Sequence, residues 1–244
     1  MRIRLDKLVA HAGFGTRKEV NALIRAGRVR VEGDVVTVPK TQVDADAAIT
    51  VDAQVVSYRR YAYYMLHKPA GVISATRDRR ETVLDLIDAR DQRGRELFPV
   101  GRLDRDTTGL VLLTDDGALA HALLSPGRHV PKTYRATLDR PLDSFGKEQF
   151  QNGILLLPEH VVTQPAEVVE EEANVYRVTL HEGKYHQVKR MFAHCGCHVE
   201  ALYRLSMGPL ALDPSLLPGD YRPLTEAEIA ALRDAVKTHN EMQN

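Results

Sequence analysis

Several features are missing from this sequence, and each absence removes a class of protein. No apolar run approaches the ~18 residues of a membrane-spanning helix. The start, Met1-Arg2-Ile3-Arg4-Leu5-Asp6, has no signal-peptide-like apolar stretch behind it. The expectation is a cytoplasmic protein with no membrane partner. Cysteine is confined to Cys195 and Cys197, which excludes a disulfide framework in a chain of 244 residues and suits a reducing compartment. Net charge is also absent: 33 Lys and Arg balance 33 Asp and Glu, so bulk composition gives no argument for a nucleic-acid partner. There is no nucleotide-binding glycine motif. His194-Cys195-Gly196-Cys197-His198 is too compact for a zinc site, whose ligands usually come from two separated pairs, and Gly196 reads as a helix terminator. Neither metal nor cofactor is expected. Without a coiled-coil or large apolar surface signal, the expected state is a monomer.

The balanced charge is unevenly spread. Residues 1–40 carry nine Lys and Arg against four Asp and Glu, and Glu167 to Glu172 is acidic. Leu5, Leu8, Val9 and Ala12 recur at helical spacing, and Gly13-Phe14-Gly15 ends that helix. Thr16 with Glu19 has the spacing of a capping box, opening a second helix with Val20, Leu23 and Ile24 as its apolar stripe and Gly27 as its stop. Arg28 to Val31 alternates as a strand, and Glu32-Gly33-Asp34 turns it into a partner over Val35 to Val38. Lys7, Arg17, Lys18, Arg25, Arg28 and Arg30 are candidates for RNA contact; a solvated basic face explains the pattern equally well. Arg4-Leu5-Asp6-Lys7-Leu8, Thr16-Arg17-Lys18-Glu19 and Gly27 to Gly33 resemble the S4-type RNA-binding domain, a small α/β fold. The resemblance covers residues 1–48; an acidic linker at 49–60 with one short strand-like patch at Ile49 to Val51, a larger domain at 61–236 and a tail at 237–244 follow.

The larger domain reads as α+β with a mixed, largely antiparallel sheet and flanking helices. The expected strands are Tyr63–His67, Leu110–Thr114, Lys132–Leu138 and Val175–His181. The expected helices are Val83–Ile87, Asp116–Leu124, Leu142–Asn152, Tyr185–Cys195 and Glu226–Val236. Its most informative stretch runs from Pro99 to Gly117. Arg102, Asp104, Arg105 and Asp106 lie in a polar loop just before Leu110–Leu113, which has the pattern of a strand buried on both faces. Charges in that setting must be paired. The residues alone leave open a structural Arg–Asp clamp or a catalytic carboxylate.

Gly101-Arg102-Leu103-Asp104 with Asp106-Thr107-Thr108-Gly109-Leu110 resembles the catalytic motif of the RNA pseudouridine synthases. Lys132-Thr133-Tyr134 and the segment Glu182 to Phe192 resemble two further motifs of the same family, which implies that both domains belong to one enzyme. The resemblance makes Asp104 the essential carboxylate, Tyr134 the ring beside the target base and Lys189 the basic partner of Asp104. Arg102 becomes the side chain that fills the space of a flipped base. From the residues alone, Lys189 is equally a snorkelling lysine at the edge of the stripe Val188, Met191, Phe192 and Cys195, Tyr134 a half-buried strand tyrosine, and Arg102 a salt-bridge partner. Lys at position 189 and the segment Pro218 to Thr225 resemble the branch acting on small-subunit (16S) ribosomal RNA, which implies uridine 516 in an assembling subunit as target. A large-subunit RNA synthase of the same family and a non-catalytic RNA-binding assembly factor remain the alternatives. The implied isomerisation needs no redox change and no outside group, in keeping with the expected lack of a cofactor.

Overall fold

The computed structural model describes residues 2–56 and 58–241, with side chains through residue 237. The chain separates into two compact units, Met1–Ala62 with Ile87–Leu97, and Tyr63–Leu86 with Phe98–Asn244.

In the first unit, β1 (Arg2–Arg4) runs directly into α1 (Leu5–His11), and α2 (Arg17–Arg25) follows. The capping box is formed: Thr16 Oγ1 accepts from Glu19 N and Glu19 accepts from Thr16 N at 2.7 Å. Then come β2 (Val29–Val31), β3 (Asp34–Val35), β4 (Gln42–Asp44), β5 (Ile49–Val51) and β6 (Gln54–Val55). β1 pairs with β4, and the other four form a sheet in the order β3-β2-β5-β6. Leu5, Leu8, Val9, Val20, Ile24, Val29, Ile49 and Val51 are buried together. Residues 49–55, expected in a linker, therefore complete this sheet. The reason is visible in Ile49 and Val51, which alternate with Thr50 and bury one face of β5 against α1 and α2. The expected strand Val35–Val38 shortens to Asp34–Val35, and Val38 is exposed. The short helix α3 (Ala89–Gln92) also belongs to this unit.

The second unit is built on a nine-stranded sheet. Its elements are β7 (Tyr63–Lys68), β8 (Phe98–Pro99), β9 (Thr108–Thr114), α4 (Gly117–Leu124), β10 (Lys132–Leu138), α5 (Ser144–Asn152), β11 (Leu155–Leu156), β12 (Val161–Val162), β13 (Glu167–Glu172), β14 (Val175–Leu180), α6 (Gln187–His194), β15 (Val199–Met207), β16 (Leu210–Ala211), β17 (Tyr221–Pro223) and α7 (Glu226–Glu241). β11 and β12 form a separate hairpin. The main order is β13-β14-β10-β15-β9-β7-β17, with β16 on β15 and β8 on β9. Among the described residues one ladder of this sheet is parallel, β15 with β9, and it joins two antiparallel halves. One half carries α5 and α6, with Phe150 and Phe192 ring centroids 4.8 Å apart over Tyr176. In the other, Leu110 to Leu113 are fully buried on β9, each burial worth about 1.5–3 kcal/mol.

The expected helix Val83–Ile87 is instead a series of turns. Thr82 N and Oγ1 donate to Asp85 as at a helix start, but Asp85 N returns to Thr82 O in a tight turn and Val83 N donates to Ile73 O, so the segment stays a turn docked on Ile73. α6 ends as its sequence suggests. Gly196 N donates to Ala193 O and Cys197 N to Phe192 O, with Gly196 at φ 76°, a Schellman termination. Cys197 and half-buried Cys195 pack in the α5–α6 core, where burial pushes the Cys195 thiol up to about 11. β15, β13 and β17 have no counterpart among the expected strands.

Arg222 ties the C-terminal elements together. Its Nε donates to Asp213 Oδ2 at 2.7 Å, and its two terminal nitrogens donate to the Glu228 carboxylate at 2.9 and 2.7 Å. Glu228 also closes a capping box with Thr225 at the start of α7. The Arg222 guanidinium holds the Glu228 carboxyl down at about 2, from an ordinary 4.5. A depressed carboxylate stabilises the fold above its unfolded pKa, and the contribution disappears as pH falls through the folded value. Arg222→Met is expected to cost about 1–2 kcal/mol at neutral pH. In denaturant titrations the gap from the wild type should close between pH 4.5 and pH 2; a gap independent of pH would assign the loss to packing.

Candidate active site

The second unit contains a cavity of about 600 Å³. It opens beside the loop 100–107, between β8 and β9. That loop is held from several sides. Val100 N donates to Leu112 O at 2.7 Å, Leu103 N to Ser74 Oγ at 3.1 Å and Gly71 N to Arg105 O at 2.8 Å. Lys68, at the end of β7, is fully buried and donates to three backbone carbonyls: Pro69 at 3.0 Å, Arg105 at 3.2 Å and Thr107 at 2.8 Å. Burial pushes its ammonium down to about 8, against the pull of Asp106 and Asp104.

Gly109 leaves the loop onto β9 opposite Arg204 of β15. It sits at φ 104°, and a Cβ there would lie 2.4 Å from Arg204 O and 2.6 Å from Arg204 N. Conformation and space both require glycine.

Asp104 lines the cavity with one carboxylate oxygen toward each of two side chains. Lys189 Nζ is 3.3 Å from Oδ2, and His186 Nε2 is 3.3 Å from Oδ1. Lys189 also donates to Asp106 Oδ1 at 2.5 Å, a bond that holds the Asp106 carboxyl below the usual range. Lys189 reaches the site from the first turn of α6, as its place beside the apolar stripe suggests. His186 is the N-cap residue of α6, in the left-handed region at φ 47°, and stacks on Tyr185 at 3.8 Å. Glu182 anchors the turn before the helix, accepting from Gln187 Nε2 at 2.6 Å and Gln164 N at 2.9 Å and pairing with Lys184.

Tyr134 lines the same cavity from β10, half-buried. Arg102 lines it while exposed, and it makes no hydrogen bond or ion pair among the described residues, so the salt-bridge alternative finds no partner. The fold thus brings Arg102, Asp104 and Tyr134 to one cavity, with Lys189 3.3 Å from Asp104 beside it. Four neighbouring side chains were given no role by the sequence reading: Lys68 and Arg204, and also Lys132 and His186, which lie within the motifs it named. The available signal was a charged residue at a strand end that should be buried, as in His67-Lys68-Pro69. Arg80, Arg102, Arg105, Lys132, Lys184 and Arg204 face the cavity against two carboxylates, Asp104 and Glu182, a balance that favours an anionic ligand.

A family model described as RNA pseudouridylate synthase matches residues 62–194, which contain Asp104, Tyr134 and Lys189. The chain belongs to the RNA pseudouridine synthases. An S4 domain model matches residues 3–49. The chain is 45% identical to a Bacillus subtilis protein named as the uncharacterized RNA pseudouridine synthase YtzG, over 95% of this chain and 99% of that one. It is 40% identical to the Escherichia coli ribosomal small subunit pseudouridine synthase A, over 94% of this chain and all of that one. A crystal structure of a pseudouridylate synthase, 38% identical, superposes with a TM-score of 0.66, covering 94% of this chain and 99% of that one.

Within the S4 domain the six candidate RNA contacts are all exposed, but they differ in their engagement. Arg28 is locked bidentate to Asp52, Arg17 lies 3.8 Å from the buried Asp6 carboxylate, and Arg30 donates to Gly33 O. Lys7, Lys18 and Arg25 make no such contacts among the described residues, so their ammonium and guanidinium groups face solvent.

Two substitutions test how this synthase builds its site. Lys68→Met removes the two bonds from this side chain to the loop carbonyls of Arg105 and Thr107 and should lower single-turnover pseudouridine formation about 10²-fold, since displacing a reacting group by about 1 Å costs that much. An unchanged rate would show that the loop holds itself. Gly109→Ala should destabilise the unit by about 2–5 kcal/mol, from strained φ and overpacking together; a melting temperature equal to the wild type's would contradict the close crossing.

Proposed function

We propose that the protein converts uridine 516 of 16S ribosomal RNA to pseudouridine, acting on an assembling small subunit in the cytoplasm as a monomer and without a cofactor. The observation that carries the reading is Asp104, held between Lys189 and His186 on the wall of a cavity that Tyr134 shares. Lys189 and His186 each lie 3.3 Å from one oxygen of that carboxylate, and a single carboxylate serves as nucleophile or base in this chemistry. Asp104 acts on the ribose or the base of a nucleotide taken out of the RNA stack. Extrusion costs a few kcal/mol. Arg102 offsets part of this by occupying the vacated place, and the solvent-facing cations of the S4 domain contribute phosphate contacts. Tyr134 supplies a face for the uracil, worth about 1–3 kcal/mol of stacking. Relatives named small-subunit synthases at 40 and 41% identity over 94% of this chain support the choice of ribosomal subunit.

The test is site mapping by carbodiimide labelling and reverse transcription on unmodified small-subunit RNA, free and partly assembled, beside large-subunit RNA. A single new stop at uridine 516 is expected, absent with Asp104→Asn, while RNA binding stays within about threefold of the wild type's, because one uncharged substitution leaves the phosphate contacts in place. A stop in large-subunit RNA alone would reassign the substrate. Equal loss of binding and turnover in the variant would make Asp104 structural.

A further inference from the structure

Two buried cations in the cavity have no carboxylate. Lys132 is 7% exposed and Arg204 is 2% exposed, and both line the cavity. Lys132 Nζ donates to Val130 O at 2.9 Å. Arg204 Nε donates to Leu110 O at 2.7 Å, while its Nη2 is buried with no hydrogen-bond partner. Neither side chain forms an ion pair among the described residues. The carboxylates on the cavity wall are taken, Asp104 by Lys189 and His186, Glu182 by Lys184 and Gln187. Burial and the nearby Arg204 push the Lys132 ammonium down to about 8, as expected where nothing negative offsets the lost hydration.

Desolvating two cations side by side is costly, and an orphaned buried N–H adds about 1–3 kcal/mol. A fold retains such an arrangement when an anionic or strongly accepting ligand completes it. The strand register indicates where that ligand lies. Lys132 and Tyr134 are two residues apart on β10 and so face the same way. Arg204 is the cross-strand partner of Tyr134 on β15. The two cations therefore flank the ring that presents a face to the target base. The exposed Arg105 suits a phosphate; buried groups such as Lys132 and Arg204 suit the base itself.

We propose that Lys132 and Arg204 hold the detached uracil, donating to its carbonyl oxygens while it carries the electron pair of the broken N1–C1′ bond. The inference rests on the pseudouridine-forming reaction read above. Cleavage sends the bond's electrons to the base, which spreads the charge over N1, O2 and O4. After the ring turns, C5 supplies an electron pair to C1′, the C5 proton is lost to a base, and N1 takes up one proton. Whichever way Asp104 acts, the separated base is negative between these steps, and fixed donors aimed at developing charge are the strongest form of electrostatic catalysis. The same two cations favour uracil over cytosine, whose exocyclic amino group would turn N–H donors toward other donors.

The experiment compares Lys132→Met, Arg204→Met and Arg204→Lys with the wild type. The substrates are transcripts of the mapped target containing uridine or 5-fluorouridine, followed in single turnover by loss of the parent nucleoside. Fluorine stabilises the departing anion, so a defect in holding that anion should matter less. The Met variants are expected to lose about 10²–10³-fold on uridine RNA, with filter-binding Kd nearly unchanged, and to recover about tenfold of that loss on 5-fluorouridine RNA, corresponding to ~1.4 kcal/mol of leaving-group help. If Arg204→Met fails to fold by circular dichroism, Lys132→Met and Arg204→Lys carry the comparison. Equal losses on the two substrates would reduce the pair to a positioning role and overturn the inference. A Kd that weakens in step with the rate would make it a phosphate anchor, overturning it as well. A wild type that forms no pseudouridine in any ribosomal RNA would defeat the proposed function itself, and the inference with it.

Discussion

The close backbone crossing of Gly109 and Arg204 is the constraint on which the catalytic unit depends. The nine-stranded sheet consists of two antiparallel halves, and they meet through the short parallel ladder of β9 and β15. At that seam the strands approach until no side chain fits at position 109. The loop bearing Asp104 enters β9 there, and Tyr134 faces Arg204 from the next strand. The site therefore lies where one antiparallel half ends and the other begins, with residues from both. Lys68 comes from β7, the neighbour of β9 in the same half, and holds the loop's carbonyls from there.

Electrostatics divide the cavity into two regions. Around Asp104, charge is compensated: one lysine serves two carboxylates, and a histidine approaches the remaining oxygen. Deeper, around Lys132 and Arg204, it is not. The contrast fits the proposed reaction, in which one carboxylate acts and negative charge develops on the base. In the S4 domain, ion pairing with Asp6 and Asp52 ties down part of the basic face, which leaves Lys7, Lys18 and Arg25 as the groups able to exchange water for phosphate without first breaking an internal bond.

Much of this was legible in the chain. The capping box at Thr16 and Glu19, the buried run Leu110–Leu113, the strand Lys132–Leu138 and the Gly196 helix stop are all local signals, and local signals survive because they depend on neighbours a few residues away. The motif around Asp104 marked the loop, and the segment Glu182 to Phe192 marked α6. Val83–Ile87 misled because the helix-like start at Thr82 and Asp85 closes a single turn, with Val83 N bonded to the distant Ile73. β5 was legible as a strand-like patch at Ile49 to Val51, but three residues in an acidic stretch did not tie it to the first domain.

By itself the sequence marked those elements that carry local signals, since spacing and residue type hold that information, and the resemblance of its motifs to a family made Asp104, Tyr134 and Lys189 the candidates. Only the tertiary structure decided which charges meet. His186 joins Asp104 because the chain turns left-handed before α6. Lys68 and Arg204 face the loop because strands distant in sequence are adjacent in the sheet. The absence of a carboxylate beside Lys132 could be seen only once every neighbouring element was in place. Burial and pairing are properties of the three-dimensional neighbourhood, and a one-dimensional pattern of charges cannot specify which of them lose water together.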